Sequence, residues 1–594
     1  MAEAMAVIRP WRHATPRSRS LRGPGLPALL LAGAAVLATG CGGGGSATSA
    51  SLSGGTGATY TISGTVSGAI ASGVTLALSG TTTSGSSSVT NSATTDASGN
   101  YSFSVASGSY TLTPSLSGYT FSPTSATETV SANVSGVNFV STVSTVTTTS
   151  SVAGSALGDP TDYGSLTLTA GGSYASSTTG ASDASCRFTS TAADVPAIKV
   201  APGGSLTATR SLITKRGDTG SIDSSAFYGI DAGVLASSSS TSTSDTESGR
   251  TAQFSLTDCT IQTTAIGADG AFAFGEGATV TLDHVTIATT GGSNARGVEA
   301  TYGGTVNVTG SVISTTGDAC AALASDRCTG ATVPVVNATD CQGTTGGSGS
   351  PGIYCTGTFT VTGCTLGASG SEAAVIEGKN ALTLSDTRLA GAARWGVLIY
   401  QSQSGDSSTG VGAYTMTGGT LTNTSDGALF VVCDTDAAIT LTGATLVNPS
   451  GTLLLAGEAA TALAYNGAIN ASWGTLGGGV TFTATDQTLG GNLILCDSAS
   501  TLALTLTRST LSGAIDTQDL GGTKTLTLDS ASRWTATADS HLTTLTGVAL
   551  ASGVPTNVDA ATGITITCGS ATRAGAGALS GTYTLASGGT LVVS

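Results

Sequence analysis

Carboxylates recur at one position of a repeated phrase, and a fixed repeat of carboxylates is the feature of this chain best suited to chemistry. Lining up AFAFGEG, AAVIEGK, VLIYQSQ, ALFVVCD, LLLAGEA and NLILCDS puts Glu276, Glu377, Asp434, Glu458 and Asp497 where each segment leaves a predicted strand. If the segments stack, Asp434, Glu458 and Asp497 fall on successive or near-successive repeats. Bare carboxylates so placed repel, unless they hold a hard cation such as calcium, which takes several oxygen ligands. The plainer reading is that acidic residues end strands because they face water, and on that reading the chain needs no cofactor. Aromatic side chains are scarce, and Trp395, Tyr400 and Trp473 are the rings that could stack on the apolar face of a sugar. Trp395 shares its parity with Val397 and Ile399, which would instead turn it inward. Glu377 and Lys379, two residues apart, read as a surface ion pair.

The chain has 11 cysteines. With Cys41 set aside for a role described below, the remaining ten are an even number suited to an oxidising compartment. Cys320 with Cys328 and Cys341 with Cys355 are local pairs and the expected disulfides. Cys259 and Cys364 occupy matching slots but lie several repeats apart, beyond disulfide reach. Zinc is a poor fit, since no CxxC occurs and His284 and His541 are far from any close cysteine pair. A net charge of −15 and only four lysines exclude nucleic acid as a partner, because phosphate binding needs clustered Lys and Arg.

What positions these residues is a rung. TVTLDHVTIATT at 279–290 and TVNVTGSVISTT at 305–316 are its clearest copies. The same apolar slot recurs at Ile213, Ile261, Ile287, Ile313, Leu366, Leu389, Leu421, Leu446, Leu489 and Leu511, mostly at intervals near 22 to 26 residues or about twice that. Within a rung apolar and small polar residues alternate, as Val306 and Val308 do with Asn307 and Thr309, which is the period of a strand with one buried face. A repeat too short to close its own core buries that face on its neighbours, so the predicted fold is a parallel β-helix. Coils stacked about 4.8 Å apart would make a rod on the order of 80 Å long.

In chain order, residues 1–40 read as an export signal, with arginines at 9, 12, 17, 19 and 22 ahead of the apolar run 28–37. Leu37-Ala38-Thr39-Gly40-Cys41 resembles the bacterial lipobox, which implies lipidation of Cys41 and membrane attachment through that lipid. Residues 41–59 are a Gly/Ser tether. Residues 60–140 hold short alternating strands separated by Gly, Ser and Asp turns, the pattern of a small β-sandwich. There Asp96-Ala97-Ser98-Gly99-Asn100-Tyr101-Ser102-Phe103 resembles the prealbumin-like or carboxypeptidase-regulatory-like repeats of bacterial surface proteins. The resemblance implies a turn built by Asp96 and Gly99, with Tyr101 and Phe103 in the core of a stalk domain. Residues 141–160 are a Ser/Thr linker, and 161–594 the β-helix, with polar excursions at 237–250 and 465–479.

From about residue 352 to 547 the phrases GSEAAVIEGKNALTLSDTRL, VLIYQSQSGDSSTGVGAYTMTGGTL, TDQTLGGNLILCDSASTLALTLTRSTLSGAID and TLTLDSASRWTATADSHLTTLTG resemble adhesin-like right-handed β-helix surface proteins. That group offers no catalytic residues to carry over, and this chain departs from it by placing cysteines in its rungs, as in LFVVCD and NLILCD. The expectation is an all-β, lipid-anchored, exported protein at the bacterial outer membrane or cell surface. It would bind polysaccharide, matrix or a surface protein through its β-helix, without turnover. Many β-helices cleave polysaccharides, so a lyase or hydrolase is the alternative, with Asp434, Asp436 and Arg394 its best constellation. Ice binding or a purely structural role is the other: Thr505 with Thr507 and Thr525 with Thr527 form local Thr-X-Thr pairs, but along the chain such pairs drift from rung to rung.

Overall fold

The computed structural model describes residues 50–51, 58–68, 71–83, 85–116, 119–143, 161–163, 166–168, 171–174, 186–238, 251–326, 331–402, 406–458, 476–575 and 577–594. The expected signal and lipidation site Cys41, and Cys328 and Trp473, lie outside them. The chain divides into two compact units, one chiefly of residues 13–146 and the other chiefly of 172–594.

The first unit is a β-sandwich. Asn100–Ala106, Thr59–Gly68, Phe139–Val143 and Tyr119–Ser122 lie in one sheet, and Gly85–Thr94, Thr75–Thr82, Gly108–Ser115 and Ala126–Val130 make the other. Strict alternation drives the pairing: in Asn100–Ala106 Tyr101, Phe103 and Val105 point into the core, where Leu76, Leu78 and Leu112 meet them. The expected turn is present. Asp96 accepts the backbone N–H groups of Ser98 and Asn100 at 2.9 and 2.8 Å, and Gly99 takes a φ of 80°, which costs glycine little. The Tyr101 hydroxyl donates to the Val137 carbonyl at 2.5 Å, so its polar end is satisfied inside the core.

The second unit is a parallel β-helix. In its body each coil lays one strand in each of three sheets. The first sheet runs from Thr161–Tyr163 to Thr445–Val447 and resumes at Thr488–Gly490. The second runs from Leu166–Leu168 to Asn492–Leu495, and the third, of eighteen strands, from Gly171–Tyr174 to Thr590–Val593. The apolar slots stack in direct register on the first sheet: Ile213, Ile261, Ile287 and Ile313, then Leu366, Leu389, Leu421 and Leu446, then Leu489 and Leu511. The doubled interval between Ile313 and Leu366 hides a full rung whose slot is Gly343. A Cβ there would lie 2.5 Å from Leu366 Cδ2, so the neighbouring leucine fills the space.

Third and first sheets are joined by a two-residue turn that repeats coil after coil. Its first residue is left-handed each time: Arg210, Asp258, His284, Gly310, Asp340, Gly363, Asp386, Gly418, Gly443, Asp486 and Arg508, with φ between 47° and 66°. Gly, Asp and His are the residue types that tolerate this conformation best. The second residue points its side chain along the stack. The backbone N–H of Val285 donates to Ser311 Oγ, that of Cys341 to Cys364 Sγ, that of Cys364 to Thr387 Oγ1, and that of Gln487 to Ser509 Oγ. Each such hydroxyl or thiol in turn donates to the carbonyl two residues back, as Cys341 does to Thr339 and Thr387 to Ser385. Buried turn N–H groups thereby find acceptors, which a buried backbone donor requires.

This ladder corrects the disulfide assignment. Cys341 is a free thiol and is not joined to Cys355. Cys341 is in the turn before the first sheet and Cys355 ends the second-sheet strand Ile353–Cys355, where its Sγ donates to the Gly357 carbonyl. Cys320 is likewise a free thiol, donating to the Asp318 carbonyl.

Candidate functional site

The second sheet carries most of the residues singled out above. Its strands Ala374–Glu377, Val397–Tyr400 and Phe430–Cys433 are buried on both faces. Ile376, Ile399 and Val432 face the main core, while Val375, Leu398 and Val431 form a second apolar layer with Tyr354, Trp395 and Tyr400. The strand ends therefore do not simply face water.

Register splits the acidic column. Glu377 pairs with Tyr400, which pairs with Cys433, which pairs with Gly457. Asp434 and Glu458 each lie one residue further on, in the turns, and Glu276 lies two residues beyond the paired Phe274. Asp434 is buried and accepts the Leu476 N–H at 3.2 Å and the Cys433 thiol at 3.3 Å. Asp497 accepts the Glu458 N–H at 2.7 Å and the Ser500 N–H at 2.9 Å. These oxygens tie one coil's turn to the next, and a cation would have to displace those donors. Among the described residues no group of three or more His, Cys, Asp or Glu side chains is placed to hold a metal.

Glu377 and Tyr400 do come together, in a role other than a ledge or a sugar platform. The hydroxyls of Tyr354 and Tyr400 both donate to Glu377 Oε2 at 2.8 Å, and Ser402 donates to its other oxygen. Burial raises the Glu377 carboxyl above its usual range, against the pull of these three donors. Glu377 is buried while Lys379 is exposed, so the expected surface pair is replaced by an interior cluster. Tyr400 is 3% exposed and Trp395 1%, with the Arg394 guanidinium 4.9 Å over the indole. Neither ring offers a face to a sugar.

The hydrolase constellation is not assembled. Arg394 precedes the strand Val397–Tyr400 and lies 3.5 Å from Glu372, whereas Asp434 follows the strand Phe430–Cys433. A four-residue strand holds the two ends about 13 Å apart.

A buried charge cluster escaped sequence reasoning. Arg296, fully buried, donates to Asp326 at 3.0 Å and to Glu299, and its guanidinium lies 5.5 Å over the Tyr354 ring. Its backbone N–H donates to Asp269 at 2.8 Å. Burial pushes the Asp269 carboxyl up to about 8 against the attraction of Arg296. Nearby in sequence, Lys215 and Asp231 form a second fully buried pair at 2.7 Å. The available signal was charge inside strands, in VEAT and LASD, with Glu299 at a position where the neighbouring rungs carry Phe272 and Ala324.

The outer face of the third sheet is open to solvent. Its middle column runs Thr207, Ser255, Thr281, Asn307, Asn337, Thr360, Thr383, Thr415, Thr440, Thr483, Thr505, Thr527, Thr546 and Thr572, each in direct register with the next. A flanking column runs Thr209, Thr257, Asp283, Thr309, Thr339, Thr362, Ser385, Thr417, Thr442, Thr485 and Thr507. Every one of these side chains is partly or fully exposed. The Thr-X-Thr pairs keep one register over much of this length, since insertions enter at the other turns, but they still shift at Thr525 and Thr527, which lie opposite Ala503 and Thr505. In a chain of net charge −15 the two columns carry one carboxylate, Asp283, and no ring.

Comparison with known proteins bears on the first unit. Residues 57–144 match the family described as BOS complex subunit NOMO1-like, second beta sandwich domain, a sandwich of the prealbumin-like kind. The match covers less than a sixth of the chain. No curated protein and no solved structure matches the sequence.

Proposed function

We propose that this chain is a non-catalytic, exported, lipid-anchored surface protein that adheres to neutral glycan or extracellular matrix, with the outer face of the third sheet as its contact surface. The observation that carries this reading is the in-register column of hydroxyl and amide side chains from Thr207 to Thr572. A lattice of neutral donors and acceptors suits a ligand that is itself neutral, repetitive and rich in hydroxyls. Weak contacts repeated on each coil then sum. Lipid on Cys41 would supply the attachment, and the sandwich would serve as a stalk, in the manner of the adhesin-like surface proteins that the rungs resemble.

The test is co-sedimentation of the full chain with insoluble and cross-linked polysaccharides, with and without chelator, while the supernatant is assayed for released sugar. Binding without release is the expected result. Release of sugar would overturn this reading in favour of the lyase or hydrolase.

Ice adsorption is a second reading that the same register favours. Coils about 4.8 Å apart and alternate residues about 6.7 Å apart make a two-dimensional array close to the repeats of an ice plane. Slow freezing of a dilute solution separates the two, since an ice binder enters the growing ice and a glycan adhesin is left in the liquid.

A further inference from the structure

The turn ladder places two thiols on adjacent rungs of one column. Cys341 and Cys364 occupy the second turn position before Gln342–Thr345 and Thr365–Ala368, strands that pair directly, Gln342 with Thr365. The backbone N–H of Cys341 donates to Cys364 Sγ at 3.3 Å. Neighbouring strands about 4.8 Å apart bring such residues within the Cα separation a disulfide spans. The other described thiols lack this relation. Cys259 stands between Ser211 and Val285 in the same ladder, and Cys433 and Cys496 are separated by the rung of Gly457. Two rungs, about 9.6 Å, exceed disulfide reach.

We propose that Cys341 and Cys364 form a disulfide that staples two consecutive coils when the chain meets a small-molecule disulfide. The deprotonated thiol of one cysteine attacks the reagent RSSR, forming a mixed disulfide and releasing one RSH. The second protein thiol then gives up its proton and attacks the protein-bound sulfur, releasing the other RSH. Two S–H bonds are lost and one S–S bond is gained; the protein is oxidised by two electrons and the reagent is reduced to two thiols. The closeness of the two side chains favours the first step, since Cys364 beside it brings the Cys341 thiol down to about 7 while the same neighbour and burial raise Cys364. Both side chains are buried, so exchange follows the transient opening of the coils.

The experiment uses the reduced full chain, equilibrated with oxidised glutathione in mild denaturant that lets the coils open and close. Free thiols are then alkylated, and the protein is digested without reduction and mapped by mass spectrometry. The expected product is a peptide pair linked through Cys341 and Cys364, accompanied by an upward shift in Tm of a few degrees. Cys341→Ser and Cys364→Ser should lose both link and shift, and each should fold, because serine already fills this position at Ser211, Ser311 and Ser509. The proposal is overturned if both thiols are recovered alkylated after equilibration, or if either is linked to a different cysteine.

Discussion

Single side chains in this molecule matter mainly as partners for buried groups. Cys364 accepts the Cys341 N–H and donates to the Thr362 carbonyl at 3.4 Å. Cys364→Val would leave that buried N–H without an acceptor and should cost about 1–3 kcal/mol, whereas Cys364→Ser should be close to neutral. Urea midpoints of the two variants measured under reducing conditions check this, and equal losses would refute it. The buried carboxyls should also make stability depend on pH. Burial raises Asp231 from 3.8 to about 6 and Asp269 from 3.8 to about 8. Between the unfolded and folded values the folded state holds more protons, so their contribution is intact below about pH 4 and declines as pH rises through 6 to 8. Asp269→Asn should flatten the decline of urea midpoint between pH 5 and 9, and an unchanged slope would remove Asp269 from this role. The site was least legible at this scale. Arg296 and Asp326 lie 30 residues apart, and only stacking brings them to 3.0 Å.

Element geometry explains what was legible and what was not. The apolar slots could be read because alternation and repeat length both survive in the sequence, and the rungs missed include those whose slot is neither Ile nor Leu: Phe188, Gly343, Trp534 and Val558. Asp434, Glu458 and Asp497 do occupy equivalent positions on successive coils, and the column fails at Glu276 and Glu377. In register Glu377 belongs to a strand and Asp434 to the next turn, and a slip of one residue exchanges the faces of a strand. At the left-handed turn Asp340 has a φ of 53°. Asp340→Val should cost about 1–2 kcal/mol while Asp340→Gly should cost nothing or stabilise slightly, which thermal denaturation of the pair can decide. Leu389 is packed between Leu366 and Leu421 in the slot column, so Leu389→Ala should cost about 2–5 kcal/mol by the same measurement.

For the whole molecule the decisive quantity is the register of the third sheet over its length. Residue counts between Thr-X-Thr pairs vary from coil to coil, yet Thr440 still pairs with Thr483, 43 residues further on. A contact surface built this way distributes affinity. A single change removes one of many weak contacts, so Thr415→Lys alone should alter binding to an insoluble glycan less than twofold. Lysines at Thr383, Thr415 and Thr440 together would break three adjacent rungs of the middle column and add charge to a neutral face. Their exposed or half-exposed side chains make unfolding an unneeded explanation, since surface substitutions of this kind usually shift stability by about 0.5 kcal/mol or less. The triple variant should keep its Tm within a few degrees and lose at least tenfold in binding, because each lost rung also shortens the uninterrupted array on which avidity depends. Undiminished binding by a folded triple variant would move the contact surface to another face of the β-helix.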